Sequence, residues 1–179
     1  MTLAYLDECG FSPSQPVNYS WTLPGQRKQV PYENPQGRRV NAISVLIPSG
    51  PHRSLWWDRV ARTLTADDVL VILRAIPRGE GRLVVVLDNA SIHRSHVIRD
   101  AVAHLQAEGI QLYFLPAYSP ELNQIEPYLG VVKYTELPER TYPTVGVLKA
   151  AIDHAFTRVE QRFLAASLAK SQHDLRPAA

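Results

Sequence analysis

The chain has 179 residues, of which 45% are hydrophobic and 20% are charged, and this is the composition of one globular domain with a full core. A formal net charge of +2 neither predicts nor excludes a nucleic-acid partner. The single cysteine excludes an internal disulfide and a cysteine-rich zinc site, and it agrees with a reducing compartment. Because there is no signal peptide and no apolar run near the roughly eighteen residues of a membrane helix, we expect one cytoplasmic domain over residues 1–179 without a membrane partner.

The apolar runs of the first half predict three strands and one helix. In chain order these are strands over residues 3–6, 40–47 and 50–60, and a helix over about residues 65–76. The first strand runs directly into Asp7 and Glu8, and a loop over residues 10–37, dense in Pro, Gly and Asn, follows it. Long irregular loops of this kind are often functional. Thr65 has the position of a helix N-cap.

The second half has the strand, helix, strand order that is typical of an α/β sheet. In chain order we expect a strand over residues 83–87, a helix over about 95–108, a strand over 110–115, a helix ending near 137, a linker over 138–143 and a last helix from about 144. The run LVVVL at the first of these strands is apolar and β-branched, which indicates a strand covered on both faces. This order predicts a parallel pair of strands with a right-handed crossover.

Three acidic residues stand where the predicted elements begin or end: Asp7, Asp88 and Glu126. Ligands of α/β sheets bind at the carboxyl ends of the strands, and Asp88 follows the LVVVL strand directly. Converging carboxylates without His or Cys ligands suit Mg²⁺ or Mn²⁺ better than zinc. Two such ions about 3.5 to 4 Å apart can activate an attacking oxygen and stabilise the leaving one in phosphoryl displacement.

Each of these acids also has a structural interpretation. Asp7 and Glu8 point to opposite sides of a strand, so at most one of them faces the site, and alternation does not choose between them. The Asp88 side chain, next to Asn89, can bond its own backbone in a tight turn. The segment from Asn123 to Glu126 fits a helix capping box, in which the glutamate only satisfies a backbone donor.

Several motifs occur together in an order that resembles one known family. They are LDECGF at the start, Trp21 and Gly25, then VVLDNASIHRS, LPAYSPELNQIEP and VVKYTELPERTYPT. This set is similar to the catalytic domain of DDE transposases of bacterial insertion sequences, relatives of the mariner elements. The spacing of 38 positions between Asp88 and Glu126 (126 minus 88) is close to that of this group. The match extends from Asp7 to about Thr144.

The resemblance implies a ribonuclease H-like fold, a mixed five-stranded sheet flanked by helices, with Asp7, Asp88 and Glu126 as the catalytic and metal-binding triad. It implies Mg²⁺ as cofactor, with Mn²⁺ as a substitute and two ions in the site. The implied reaction is hydrolysis of a phosphodiester at a transposon end, followed by attack of the freed 3′-hydroxyl on target DNA. DNA is then the substrate, and a homodimer is expected in the synaptic complex.

Four further residues are candidates for supporting or DNA-contacting roles: Asn89, His93, Asn123 and Lys133. Asn89 would hold Asp88 or contact DNA, and His93 would orient a carboxylate or contact a phosphate. A solvent-exposed turn histidine and a solvated surface lysine are the alternatives for His93 and Lys133.

The chain departs from the family pattern in two ways. Leu129 stands where the family usually has tryptophan, and Gly130 follows it in a predicted helix, where glycine costs about 1 kcal/mol relative to alanine. The N-terminal helix-turn-helix region of the family is also absent, so we expect a separate polypeptide that supplies it, a fragment, or a decayed remnant. The alternative functions are a non-catalytic DNA-binding or assembly module and another ribonuclease H-like nuclease.

Overall fold

The structure, a computed structural model, describes residues 1–13, 22–27, 39–79, 81–137 and 141–174, with side chains described to residue 166. Most of the loop predicted over residues 10–37, including Trp21, lies outside the described residues, as does part of the predicted linker. In chain order the main elements are β1 (Thr2–Phe11), β2 (Val40–Ile47), β3 (Ser54–Val60), α1 (Ala66–Ala75), β4 (Leu83–Leu87), α2 (His96–Ala107), β5 (Ile110–Phe114), α3 (Glu126–Val131) and α4 (Val145–Asp174).

The five strands form one mixed sheet in the order β3-β2-β1-β4-β5. The pairs β1·β2 and β2·β3 are antiparallel, whereas β1·β4 and β4·β5 are parallel. The predicted parallel pair over residues 83–87 and 110–115 is therefore confirmed. In the β1·β4 ladder Tyr5 lies opposite Val86, so the same register continued by two residues brings Asp7 opposite Asp88.

Helices cover both faces of the sheet and enclose two cores. Side chains of α3 and α4 pack on one face with Tyr5 and Phe11, and side chains of α1 and α2 pack on the other face with Leu6. Because side chains alternate along a strand, Asp7 shares the α3/α4 face with Tyr5, and Glu8 shares the α1/α2 face with Leu6. This answers the question that alternation alone left open.

The first strand is longer than predicted, which changes the position of Asp7. β1 continues to Phe11 because its antiparallel pairing with β2 is unbroken up to that residue. Asp7 therefore lies within a central strand, opposite Ser44. The prediction that each acid stands where an element begins or ends was wrong for Asp7 and right for Asp88 and Glu126.

The helix ends read from the sequence are largely correct. Thr65 caps α1 as predicted, and its side chain accepts a hydrogen bond from the backbone N–H of Asp68 while the Asp68 carboxylate accepts one from the backbone N–H of Thr65. Ser95 caps α2 with a single bond, in which its side-chain oxygen accepts from the backbone N–H of Ile98. Gly109 ends α2 with a φ of +82°, the left-handed conformation that glycine adopts without cost.

The helix that carries Glu126 differs from its prediction. In place of one helix to residue 137, α3 has six residues and continues into a π-helical segment, Val132–Glu136. Arg158 and Arg162 of α4 both pair with the buried Glu136 carboxylate, at 2.9 and 2.6 Å, and anchor this segment. Among the described helices, none is long and apolar enough to span a membrane.

Candidate active site

The three predicted acids line one pocket. It has a volume of about 390 Å³ and lies beside the ends of β4 and β5, where Asp7, Asp88 and Glu126 are joined by Asn89 and Asn123 in its wall. Its remaining wall is the loop that follows β5, residues 115–120. Residues that are 119 positions apart in sequence (126 minus 7) thus meet at the sheet edge where α/β proteins bind ligands.

Asp7 is the most buried of the three acids, with 8% of the residue exposed. Its Oδ1 accepts a hydrogen bond from the backbone N–H of Glu8 at 2.7 Å, and its Oδ2 accepts one from Nδ2 of Asn123 at 2.9 Å. Burial, followed by the negative charge of Glu126 and then that of Asp88, raises the pKa of Asp7 to about 7, although the Glu8 N–H opposes this change. The carboxyl group is therefore held among negative charges.

Asp88 is fastened by one of its two oxygens. Oδ1 accepts from the backbone N–H of Ala90 at 2.9 Å and contacts Nδ1 of His93 at 2.8 Å. The predicted hydrogen bond between the Asp88 side chain and its own local backbone is therefore present. Within the described part of the chain Oδ2 has no hydrogen-bond partner, and the side chain is 48% exposed, so Oδ2 is accessible from the pocket.

His93 lies in the interior, and the prediction of a solvent-exposed turn histidine was wrong. The residue is fully buried, with Nδ1 against Asp88 and Nε2 2.6 Å from Oε1 of Glu8. Burial lowers the pKa of His93, but the hydrogen bonds and charges of Glu8 and Asp88 outweigh burial and raise it overall. A fully buried ring does not reach a DNA phosphate, so its contacts agree with the carboxylate-orienting alternative.

Glu8 is the residue that sequence reasoning missed at this site. It was considered only as an alternative to Asp7, yet the structure brings both into the same network from opposite faces of β1. The sequence offered one signal for Glu8, namely a second acid directly after Asp7. Nothing local in the sequence indicated that its partner is His93, 85 positions away.

Asn89 and Asn123 each hold a part of the site. Asn89 donates through Nδ2 to the carbonyl of Leu115 after β5, and its Oδ1 accepts from Arg94 at 2.6 Å. Asn123 is 1% exposed and bonds Asp7 rather than a helix terminus, so the capping-box interpretation was wrong. The N-cap of α3 is Ile125, which makes no side-chain cap bond because its side chain is apolar.

Lys133 lies beside this network but outside the pocket wall. It is half-buried, its Nζ is 5.7 Å from the centre of the Tyr134 ring, and its positive charge opposes the burial that raises the pKa of Cys9 to about 12. Cys9 lies two residues after Asp7 on β1, so Lys133 is near the acids in the fold. The side chain is partly exposed, which agrees with a surface lysine, and a contact of Lys133 with DNA stays a prediction.

The donor set suits a hard divalent cation. Three carboxylates line the pocket, the described residues of its wall include no lysine or arginine, and the buried Oδ1 of Asn123 has no hydrogen-bond partner among the described residues. Oxygen-only ligands of this kind favour Mg²⁺ or Mn²⁺. The three acids line this pocket without converging on one point, and in the described ranges no group of three His, Cys, Asp or Glu side chains is arranged to hold a metal ion.

Comparison with solved structures defines the class of fold. The Mos1 mariner paired-end complex with Mn matches 94% of this chain and 52% of that chain with a TM-score of 0.69 at 20% identity. The catalytic domain of Mos1 mariner transposase matches 90% of this chain and 72% of that chain with a TM-score of 0.61 at 16% identity. The expected ribonuclease H-like fold with a mixed five-stranded sheet is confirmed.

Sequence comparison identifies the family. The family described as DDE superfamily endonuclease matches residues 2–149, and the chain therefore belongs to it. The Tc3 transposase of Caenorhabditis elegans is 39% identical over 88 residues, which are 49% of this chain and 26% of the relative. The chain thus spans about a quarter of the Tc3 transposase and about half of the Mos1 chain in its paired-end complex. It is a catalytic domain of the DDE type.

Proposed function

We propose that this domain cleaves DNA at the ends of a mobile element and joins the freed end to target DNA, with Asp7, Asp88 and Glu126 as the catalytic residues. The observation that carries the proposal is the meeting of these three acids in one pocket of a DDE endonuclease fold. The similar proteins are transposases, and one Mos1 structure contains a transposon end. The finer assignment to a bacterial insertion sequence depends on the motif resemblance alone.

We propose Mg²⁺ as the cofactor, with Mn²⁺ as a substitute and two ions in the site, held by Asp7, Asp88 and Glu126. When bound, these ions supply activation of the attacking oxygen and stabilisation of the leaving oxygen of a phosphodiester. Mos1 has been solved in paired-end complexes with Mn and with Mg, which supports a divalent cation.

The residues of the chain prepare this site in different ways. Asn123 and the Glu8 backbone hold both oxygens of Asp7, which fixes the direction of its carboxylate. Asp88 is held through Oδ1, so that Oδ2 stays free for a ligand. Glu126 is exposed on the first turn of a short helix, where a DNA phosphate can approach it. Arg94, exposed and bonded to Asn89 in the pocket wall, is positioned to contact that phosphate.

The two departures from the family pattern in α3 are accommodated without a packing defect. Leu129 is 4% exposed and packs in the core between the sheet and α4, where it takes the place of the family's tryptophan. The space beside Gly130 is open, so this glycine creates no clash and no cavity. Packing therefore gives no support to a decayed, non-catalytic module.

Because the chain spans only part of its relatives, we propose that transposition needs a DNA-binding unit of the helix-turn-helix kind and a second copy of the chain. The cleavage assay supplies this unit in trans, so that it tests the domain whether or not the same polypeptide carries the unit. The Mos1 paired-end complexes are assemblies on DNA, and they support this expectation.

The test is divalent-metal-dependent cleavage of DNA that carries the element's ends, with the DNA-binding unit supplied. The Asp88→Ala and Glu126→Ala variants should lose more than about 100-fold in rate, since even neighbours of metal ligands cost 10–100-fold. Asp67→Ala, which changes an exposed acid at the start of α1, is the matched control and should retain full rate. Full cleavage by Asp88→Ala would exclude the mechanism, and faster cleavage of hybrid or branched substrates would indicate another ribonuclease H-like nuclease.

A further inference from the structure

A chain of side-chain contacts connects the two faces of β1 at the candidate active site. Glu8 lies on the α1/α2 face, and its carboxylate is 2.6 Å from Nε2 of His93. The other ring nitrogen of His93 is 2.8 Å from Oδ1 of Asp88. The ring is fully buried and the Glu8 side chain is only 18% exposed, so solvent does not compete for either contact.

The two contacts fix the direction of the imidazole ring. Each ring nitrogen faces a carboxylate oxygen at hydrogen-bond distance, so the two contacts together hold the ring and neither nitrogen is left to meet another partner. The hydrogen bond at one ring nitrogen of a histidine commonly sets the role of the other nitrogen toward its own partner. Here the partner of Nδ1 is Asp88, whose Oδ1 is thereby occupied while Oδ2 stays open to the pocket.

We infer that Glu8 is a positioning residue, which acts through His93 to aim Asp88 at a divalent cation. The inference rests on the proposed function. Glu8 does not line the acid pocket, and its own surroundings on the other face of the sheet include Arg39, Asn41 and Ile92. It therefore contributes to cation binding without contacting the cation. Outer partners of this kind change metal affinity 10–100-fold when they are removed.

The competing explanation is that the Glu8–His93 contact only fastens the turn before α2 to β1. That role would change stability and leave cation affinity unchanged in the folded protein. If the hydrogen bond instead positions Asp88, loss of the acceptor oxygen lowers the affinity for the cation in the folded protein. A side chain that keeps an acceptor oxygen at the same distance then preserves that affinity. Glu8→Gln keeps that oxygen, Glu8→Asp withdraws it by one methylene, and Glu8→Ala removes it.

The experiment is a titration of the full chain with Mn²⁺ alone, followed by electron paramagnetic resonance, with thermal unfolding measured on the same samples. We expect Glu8→Ala and Glu8→Asp to bind Mn²⁺ about 10–100-fold more weakly than the wild type, and Glu8→Gln to stay within about threefold of it. Glu108→Gln, which breaks an exposed ion pair with Arg74 away from the pocket, is the matched control and should bind normally.

Three results would overturn the inference. One is that Glu8→Ala folds and binds Mn²⁺ with wild-type affinity. Another, if Glu8→Ala does not fold, is that Glu8→Asp binds Mn²⁺ with wild-type affinity. The third is equal weakening in Glu8→Gln and Glu8→Ala, which would indicate a role of charge alone. Asp88→Ala separates the two proposals: if it abolishes Mn²⁺ binding while Glu8→Ala binds Mn²⁺ like the wild type, only the inference fails, and if wild type and Asp88→Ala bind alike, the proposed cation site fails as well.

Discussion

Two aspartates of this domain, Asp7 and Asp68, have opposite environments. Asp68 accepts two hydrogen bonds from Arg62 and others from Thr65 at the exposed start of α1, and its hydrogen bond from Arg62 is the main reason that its pKa lies well below the ordinary value. Asp7 is buried beside Glu126 and Asp88, and its pKa is raised to about 7. The same side chain is stabilised in its charged form at one place and destabilised at the other.

The difference shows which acid the fold uses for its own stability. The charge of Asp68 is matched by a guanidinium and a helix N-terminus, so folding favours it. The charge of Asp7 is opposed by burial and by two further acids, so folding in the absence of a cation works against it. Perturbed carboxylates in a pocket are typical of functional sites. A change of pH, an added cation and single substitutions test this contrast.

The largest effect is a pH dependence of stability in the metal-free protein. Folded Asp7 keeps its proton up to pH about 7, whereas the unfolded chain releases it near 3.8. The native state therefore binds more protons between these values, and the free energy of unfolding falls as pH rises through this window, by on the order of 4 kcal/mol. Urea unfolding at pH 4 and pH 7.5 with a chelator measures nearly all of the fall. Asp7→Asn should remove most of it, and an unchanged slope in this variant would contradict the assignment.

Added cation should reverse that cost. Mn²⁺ at a hundredfold excess over its Kd should raise the free energy of unfolding by about 2.7 kcal/mol at pH 7.5 if it binds only the folded state. Thermal or urea unfolding with and without Mn²⁺ measures the gain. Asp7→Asn should show little of the gain, and Asp68→Asn should show all of it. A gain of equal size in Asp7→Asn would place the cation elsewhere.

Asp68→Asn should destabilise the domain by about 1–2 kcal/mol, because it weakens the capping box and an exposed ion pair. The folded-state pKa of Asp68 is lowered, so its contribution is present above the ordinary pKa and is lost as pH falls below it. Asp67→Asn, in the same first turn, is the control and should cost less. If Asp67→Asn and Asp68→Asn lose the same free energy of unfolding, the effect comes from the helix dipole rather than from the capping box.

The smallest effect concerns the loop that forms one wall of the acid pocket. Tyr118 has a φ of 56° and a fully exposed side chain, and left-handed backbone costs roughly 1–2 kcal/mol for residues other than glycine. Tyr118→Gly should therefore change stability by less than about 1 kcal/mol, with a gain more expected than a loss, since the unfolded chain also gains freedom. Tyr113→Gly in β5 should destabilise by comparison, and a larger loss at Tyr118 would indicate packing that the structure does not show.

The order of strands and helices, the cap at Thr65 and the end of α2 at Gly109 were readable from the sequence, because they depend on local periodicity and local hydrogen bonds. The three acids were found through ordered motifs. Their placement within elements was less accurate, since β1 is prolonged by its pairing with β2 and α3 is shortened by the π-helical segment that Glu136 anchors to α4.

The strands and helices, the family and the acids of interest could all be read from the amino-acid sequence. Three contacts could not: Asp7 rather than Glu8 faces the pocket, Asn123 bonds Asp7 instead of capping a helix, and His93 is buried between two carboxylates. The physical reason is that these contacts join residues 85 and 116 positions apart. Strand pairing and helix packing bring such residues together, and no local pattern specifies which partner each side chain will meet.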